Sequence, residues 1–369
     1  MHKITLIFIA STGAGPVYSF AMAKAIAERK EYQLTLIISN TLSTKELWHE
    51  TFDKDPNVNI VEVCTYKHNM LSVLLSFFRV KTIRKILKIL YASDICYIPF
   101  GFMWAPNVYP RLKGKCKLIT TIHDPHPHNP NSGFIQKVAD RIDNYHYSLA
   151  DHLIMLNKKD LPHIQECYPS TPITVVPHAS FDYYSKIGDM ETQSKIYHHI
   201  AFLGTISWYK GLDILVDAFQ SLSTPNMKLT IAGKGSIEDD VLKKIEGDKN
   251  ITLMNRYIED KEFGEILKTV DFVVLPYRNA SQSGVIPLAY SFGKTVIATN
   301  VGALDEQVPE NVGVLVEPSP NAVAKAIDDL YKDEERLFRL NKNARNYADT
   351  ELTWEHSAEL MSKVFRSLL

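Results

Sequence analysis

The sequence has no excess of either charge. Its 41 Lys and Arg offset 42 Asp and Glu across 369 residues, leaving a net charge of −1. A nucleic-acid binder usually shows a basic surplus, so a small-molecule ligand is expected and nucleic acid is not. Cysteine is scarce as well. Cys64, Cys96, Cys116 and Cys167 are far apart and form no CxxC pair. That argues against a zinc site or a disulfide scaffold and for reduced thiols in the cytoplasm. No clean apolar run reaches the ~20 residues a spanning helix needs. The N-terminal run Ile4 to Ala10 is short and leads into Ser11-Thr12-Gly13-Ala14-Gly15. It reads as a buried strand entering a glycine turn, not as a signal peptide.

What is present is a globular balance, 45% hydrophobic and 22% charged, in a chain long enough for two domains. Apolar runs alternate with helical patterns, the signature of parallel sheets wrapped by helices. Strands are expected at Lys3–Ala10, Gln33–Ile38, Val58–Val63, Asp94–Ile98, Lys117–Ile122, His152–Met155 and Ile173–Val176. Helical patterns lie between them, such as Pro16–Arg29 and Gly133–Ala150. After Pro177 the pattern lapses, and residues 179–198 fit a connection. A second series follows, with strands at Ile200–Leu203, Lys228–Ala232, Ile251–Met254, Phe272–Leu275, Thr295–Ala298 and Val314–Val316. The expected fold class is α/β, with two doubly wound, Rossmann-like domains at 1–178 and 199–352 facing a cleft. An amphipathic helix over 353–369 ends the chain, capped by Thr353 or Thr350. Open sheets of this kind bind ligands at the carboxyl ends of their strands.

Four loops at such ends could carry chemistry. Gly13-Ala14-Gly15-Pro16 joins a strand to a helix, where small residues admit a ligand and the helix start favours an anion. A dinucleotide site would want a third glycine and an acid closing the second strand, which ends Ile38-Ser39-Asn40. A tight turn without a ligand stays open. Thr121-Ile122-His123-Asp124-Pro125-His126-Pro127-His128 follows a buried strand. Its prolines spread alternate side chains and its histidines lack helical spacing, so a substrate-facing His123 fits better than a metal site. His126 and His128 read equally as loop surface.

In the second half, Gly204-Thr205-Ile206-Ser207-Trp208-Tyr209-Lys210-Gly211 leads from a strand to a helix. A lysine there opposes the helix dipole unless it meets an anion. Finally, Pro276 to Tyr290 passes through Gln282-Ser283-Gly284-Val285. The amides of Ser283, Gly284 and Val285 are expected to be unpaired, aimed outward and placed for a diphosphate. A structural role for these turns is the alternative.

Taken together, these segments resemble family-4 glycosyltransferases. The likeness rests on the strand–glycine start with Lys210-Gly211, on Ala232-Gly233-Lys234-Gly235, and on Asp271 to Pro276. It continues through the glycine loop, Gly293-Lys294-Thr295-Val296-Ile297-Ala298, and Gly302-Ala303-Leu304-Asp305-Glu306. The ordered set spans about a hundred residues and carries more weight than any one piece. More loosely it takes in the first glycine turn, His123 and the tryptophan-led last helix.

The resemblance implies a GT-B fold whose last helix crosses back to the first domain. It implies a retaining, metal-independent and cofactor-independent transfer of a hexose from a nucleotide-diphosphate sugar. The acceptor would be a glycan or a lipid-linked saccharide in surface polysaccharide synthesis. By position, Lys210 would hold the diphosphate, with the Ser283, Gly284 and Val285 amides. Glu306 would approach the nucleotide, His123 would contact the donor sugar, and Gly13 and Gly15 would admit it.

The departures are specific. The family's arginine falls at Thr205, and its two glutamates are missing: no acid lies between Tyr277 and Leu304. Gln282 is the nearest polar substitute for the acids, and Arg256 or Arg278 for the arginine. A non-catalytic GT-B glycan-binding or scaffold subunit is therefore a second reading. An epimerase would call for cleft carboxylates that the sequence does not offer.

Residues 67–91 carry Lys67, Arg79, Lys81, Arg84, Lys85 and Lys88, no acid, and interleaved apolar positions. The pattern suits an anionic membrane surface, or equally a core helix with a solvated basic face. The expected location is cytoplasmic, with a peripheral contact on the inner face of the membrane.

Overall fold

The computed structural model describes residues 1–9, 15–65, 79–102, 104–123, 125, 144–180 and 195–369. Gly13, Lys67, Asp124, His126, His128, most of the helix expected at 133–150 and most of the 179–198 connection lie outside the described residues.

In chain order the first half gives β1 (Lys3–Phe8), α1 (Gly15–Glu28), β2 (Gln33–Ser39), α2 (Lys45–Phe52), β3 (Val58–Val63), α3 (Val80–Leu90), β4 (Ile95–Ile98), α4 (Ala105–Leu112), β5 (Lys117–Ile122), β6 (His152–Met155), α5 (Leu161–Cys167) and β7 (Ile173–Val175). The second half gives β8 (His199–Leu203), α6 (Leu212–Gln220), β9 (Lys228–Ala232), α7 (Asp239–Glu246), β10 (Ile251–Met254), α8 (Asp260–Thr269), β11 (Phe272–Leu275), α9 (Val285–Ser291), β12 (Val296–Thr299), α10 (Leu304–Gln307), β13 (Val314–Val316), α11 (Pro320–Lys332), α12 (Glu334–Thr350) and α13 (Trp354–Leu368). Every expected strand is present, with ends shifted by two residues or fewer.

The chain divides into two compact units. Unit 1 holds Met1–Pro177 with Trp354–Leu369, and unit 2 holds His178–Thr353. Unit 1 is built on a seven-stranded sheet of order β3-β2-β1-β4-β5-β6-β7, unit 2 on a six-stranded sheet of order β10-β9-β8-β11-β12-β13. All pairings among these strands are parallel. The reason is visible in strands such as β4, β6, β11 and β12, whose continuous apolar runs are buried throughout. The strand order reverses beside β1 in unit 1 and beside β8 in unit 2. The β8 and β11 loops therefore sit at a topological switch point.

The last helix, α13, packs on α1 within unit 1. Trp354 meets Tyr18 edge-on at 5.4 Å, Phe365 meets Tyr32 at 5.4 Å, and Arg366 pairs with Glu31 at 3.0 Å.

Helix α3 bears on the two readings of the basic stretch. Its apolar face, Ile83, Ile86, Leu87 and Leu90, is buried in the unit 1 core with Ile7, Ile37, Val63 and Trp104. It does not offer that face to a membrane. Two of its cations also have partners: Arg79 donates to the Cys64 carbonyl at 3.0 Å and Lys85 to the Glu62 carbonyl at 3.1 Å. Both carbonyls belong to the outermost strand β3 and its exit, where basic side chains protect an otherwise open edge. Lys81, Arg84 and Lys88 are exposed.

Candidate functional site

In unit 2 the site elements are held together by backbone. After β8, a turn over Trp208–Lys210 closes on Gly211, which has φ +64°. A Cβ at Gly211 would lie 2.0 Å from the Pro276 carbonyl oxygen. Only glycine lets the β8 loop press this closely on the β11 loop. The Arg278 amide donates to the Tyr209 carbonyl at 2.7 Å and seals the junction. Gly233, in the Ala-Gly-x-Gly segment, serves the same end: its Cβ would fall 1.8 Å from the Gly204 carbonyl oxygen. This glycine joins loop to loop.

The Lys210 ammonium stands 5.0 Å from the centre of the Tyr277 ring, a cation–π distance. It also closes over Gly204, where a Cβ would be 3.3 Å from Lys210 Nζ and 3.4 Å from Val285 Cγ2. Lys210 and Val285 thus converge from neighbouring loops at the switch point. Buried atoms with no hydrogen-bond partner among the described residues are found in the same two loops: Ser207 Oγ and Gln282 Oε1. Such atoms call for an explanation, commonly a ligand or a water.

Three expectations change. The Ser283 amide is not unpaired: it donates to Gln307 Oε1 at 2.7 Å. The Val285 amide donates to Ser283 Oγ at 3.3 Å. Of the two arginines offered in place of the missing one, Arg256 forks onto Glu262. That contact holds the Glu262 carboxyl down to about 2. Arg278 forks onto Asp213 and lies over the Trp208 ring, 5.0 Å from its centre. Burial works to raise the Asp213 carboxyl, but the Arg278 guanidinium outweighs it and leaves the group below its ordinary value. Both arginines have carboxylate partners and serve as loop ties. Thr205 and Glu306 are exposed.

In unit 1, Gly15 packs against Phe8: a Cβ would meet that ring at 3.0 Å. His123 Nε2 donates to the Pro99 carbonyl at 2.8 Å, and the imidazole stacks on Phe100 at 3.7 Å. Among the described residues no group of three His, Cys, Asp or Glu side chains converges as a metal site, and no helix is long and apolar enough to cross a membrane.

Residues 197–333 match the profile of the family described as glycosyl transferases group 1. The match contains Lys210, the Gln282–Val285 turn and Glu306. A curated relative, the D-inositol 3-phosphate glycosyltransferase of Corynebacterium glutamicum, is 27% identical over 231 residues, covering 57% of this chain and 55% of the relative. The chain spans about half the length of the curated relatives it matches. Sucrose-phosphate synthase from Thermosynechococcus elongatus superposes with a TM-score of 0.74 at 17% identity, covering 100% of this chain and 99% of that one. HepE of Anabaena, in complex with UDP-glucose, gives 0.70 at 15% identity with both chains covered in full.

The fold is GT-B.

Within this GT-B chain, two residues of unit 2 were not singled out by sequence. Gln307 directly follows Glu306 and grips Ser283, donating from Nε2 to its carbonyl at 3.2 Å. A polar residue ending so short a helix was the available signal. His178 is buried, its Nδ1 donating to the Ala179 carbonyl at 2.9 Å. Its Nε2 lies 3.9 Å from where a Gly284 Cβ would be. It sits where the strand pattern lapses, which hid it.

Proposed function

We propose that this chain is a glycosyltransferase that moves a hexose, with retention, from a nucleoside-diphosphate sugar to a glycan or lipid-linked saccharide. Surface polysaccharide synthesis is the expected setting. The observation that carries the reading is the convergence of Lys210 and Val285 over Gly204 at the unit 2 switch point. It falls inside the stretch matching glycosyl transferases group 1. The UDP-glucose bound to HepE supports a nucleotide sugar as donor.

Catalysis is then mainly positioning and charge stabilisation of the leaving diphosphate. Lys210 supplies the charge, held over Tyr277 before the ligand arrives. Of the three amides assigned to the diphosphate, Gly284 remains the donor to it. Gln282 faces a donor hydroxyl, and Glu306 the nucleotide. His123 is assigned to the donor sugar on the family resemblance alone. The chemistry requires no metal and no cofactor.

The test is release of nucleoside diphosphate from a panel of nucleotide sugars, with and without acceptor lipid extract. Release that depends on Lys210 supports the enzyme. The absence of acid between Tyr277 and Leu304 favours a second reading, a non-catalytic glycan-binding subunit. Tight glycan binding without any donor binding would establish that reading instead.

The acceptor side includes an anionic membrane surface, met by the exposed Lys81, Arg84 and Lys88 of α3. The contact is electrostatic, without insertion, because the apolar face of α3 is taken by the core. Each cation near such a surface contributes about 1 kcal/mol. Neutralising all three to Gln should cut binding to phosphatidylglycerol vesicles by on the order of 100-fold, and binding to neutral vesicles hardly at all. Unchanged binding to the anionic vesicles removes the membrane from the reading.

A further inference from the structure

The loop after β11 carries no acid, and its shape is set from outside. Gln307, the last residue of α10, spans the Ser283 peptide groups. Its Oε1 accepts from the Ser283 amide at 2.7 Å and its Nε2 donates to the Ser283 carbonyl at 3.2 Å. The backbone of Gln307 is held in turn by Tyr290, whose hydroxyl donates to the Gln307 carbonyl at 3.1 Å. Ser283 precedes α9 and Tyr290 lies near its end, so Gln307 braces both ends of that helix.

The brace continues to the site. Ser283 Oγ accepts from the Val285 amide and lies 3.3 Å from the Tyr277 hydroxyl. Val285 Cγ2 and Lys210 Nζ then close over Gly204. One amide side chain, 24 residues downstream of Ser283, therefore sets where Val285 stands relative to Lys210.

We propose that Gln307 is a positioning residue for donor binding: its neutral amide holds the Ser283–Val285 turn in register with Lys210. The proposal rests on the glycosyltransferase reading above. A neutral group is needed because Ser283 presents one donor and one acceptor. A carboxylate offers only acceptors and would set a negative oxygen against the Ser283 carbonyl. A protonated acid would satisfy both.

The full-length protein, Gln307→Met, Gln307→Glu and Lys210→Met are titrated with UDP, GDP, ADP and dTDP by calorimetry. Hydrogen exchange of the 281–285 segment is followed in parallel. Gln307→Met should weaken the best-bound diphosphate about tenfold, the loss of two hydrogen bonds of ordinary strength. Its 281–285 amides should exchange faster without global unfolding. Gln307→Glu should bind weakly at pH 7.5 and recover as the pH falls to about 4, where a glutamate regains its proton and with it a donor. Neither the wild type nor Gln307→Met should show that recovery.

Wild-type affinity in Gln307→Met, with Lys210→Met impaired, overturns this proposal and leaves the glycosyltransferase reading standing. Lack of acid recovery in Gln307→Glu overturns it as well. If the wild type binds none of the four diphosphates, the glycosyltransferase reading fails and the proposal falls with it.

Discussion

The two ends of the unit 2 sheet treat polar groups differently. At the amino end of β11, Asp271 is fully buried and fully engaged. It accepts from the amides of Tyr197 and His199 and from the Tyr331 hydroxyl, while Asn341 donates to its carbonyl. Nearby, Lys294 is buried within its field. At the carboxyl end the loops are also tightly tied, yet Ser207 Oγ and Gln282 Oε1 have no partner among the described residues. A buried polar network that is satisfied specifies the fold. One that is left incomplete calls for a further partner, a water or a ligand. Within six residues the Asp-x-x-x-x-Pro segment thus runs from an end whose polar groups are satisfied to one where they are not.

That contrast can be broken in four ways. Asp271→Ala should have the largest effect, because it strands several buried donors and the Lys294 charge. Unfolding free energy should fall by about 3–5 kcal/mol in a urea titration. A smaller loss than that of an ordinary core substitution would mean the network is not structural.

Lys210→Met should leave the urea midpoint nearly unchanged while weakening nucleoside diphosphate binding about tenfold to a hundredfold, the range for a charge-assisted hydrogen bond. Loss of stability with intact binding would reverse the assignment of the two ends.

Lys294 gives a pH signature. Burial holds its ammonium down to about 8, against the opposing pull of Asp271 and an ordinary value of 10.5. Between those values the unfolded chain binds more protons, so the contribution of Lys294 makes stability rise with pH. Lys294→Met should remove that rise between about pH 8 and 10, seen as the difference between the two stability curves.

Arg256→Ala should do least. Its pairing with Glu262 is at the surface, where such pairs contribute little. Donor binding should be unaffected, and a clear drop would restore Arg256 as the substitute for the missing arginine.

Much of this molecule was legible from local pattern. The strands followed from apolar runs, because a strand buried on both faces must be apolar along its length. Lys210 stood out because a lysine near a helix start opposes the dipole. Gly211 and Gly233 were visible as glycines, but their reason was not. They entered only as members of recognisable segments, and the structure shows that they make room for neighbouring carbonyls. The basic pattern of residues 79–91 was equally clear, while its partners were not: Arg79 and Lys85 turn to the β3 edge.

The sequence by itself therefore determined two parallel-sheet units and the order of the loops that end their strands, since both follow from short-range periodicity. Only the tertiary structure decided who bonds to whom. Gln307 reaches Ser283 across 24 residues and Asp213 reaches Arg278 across 65. Such partners exist because β11 lies between β8 and β12, and strand order is a property of the whole sheet. A hydrogen bond requires its two atoms within about 3 Å, and no local pattern places them there.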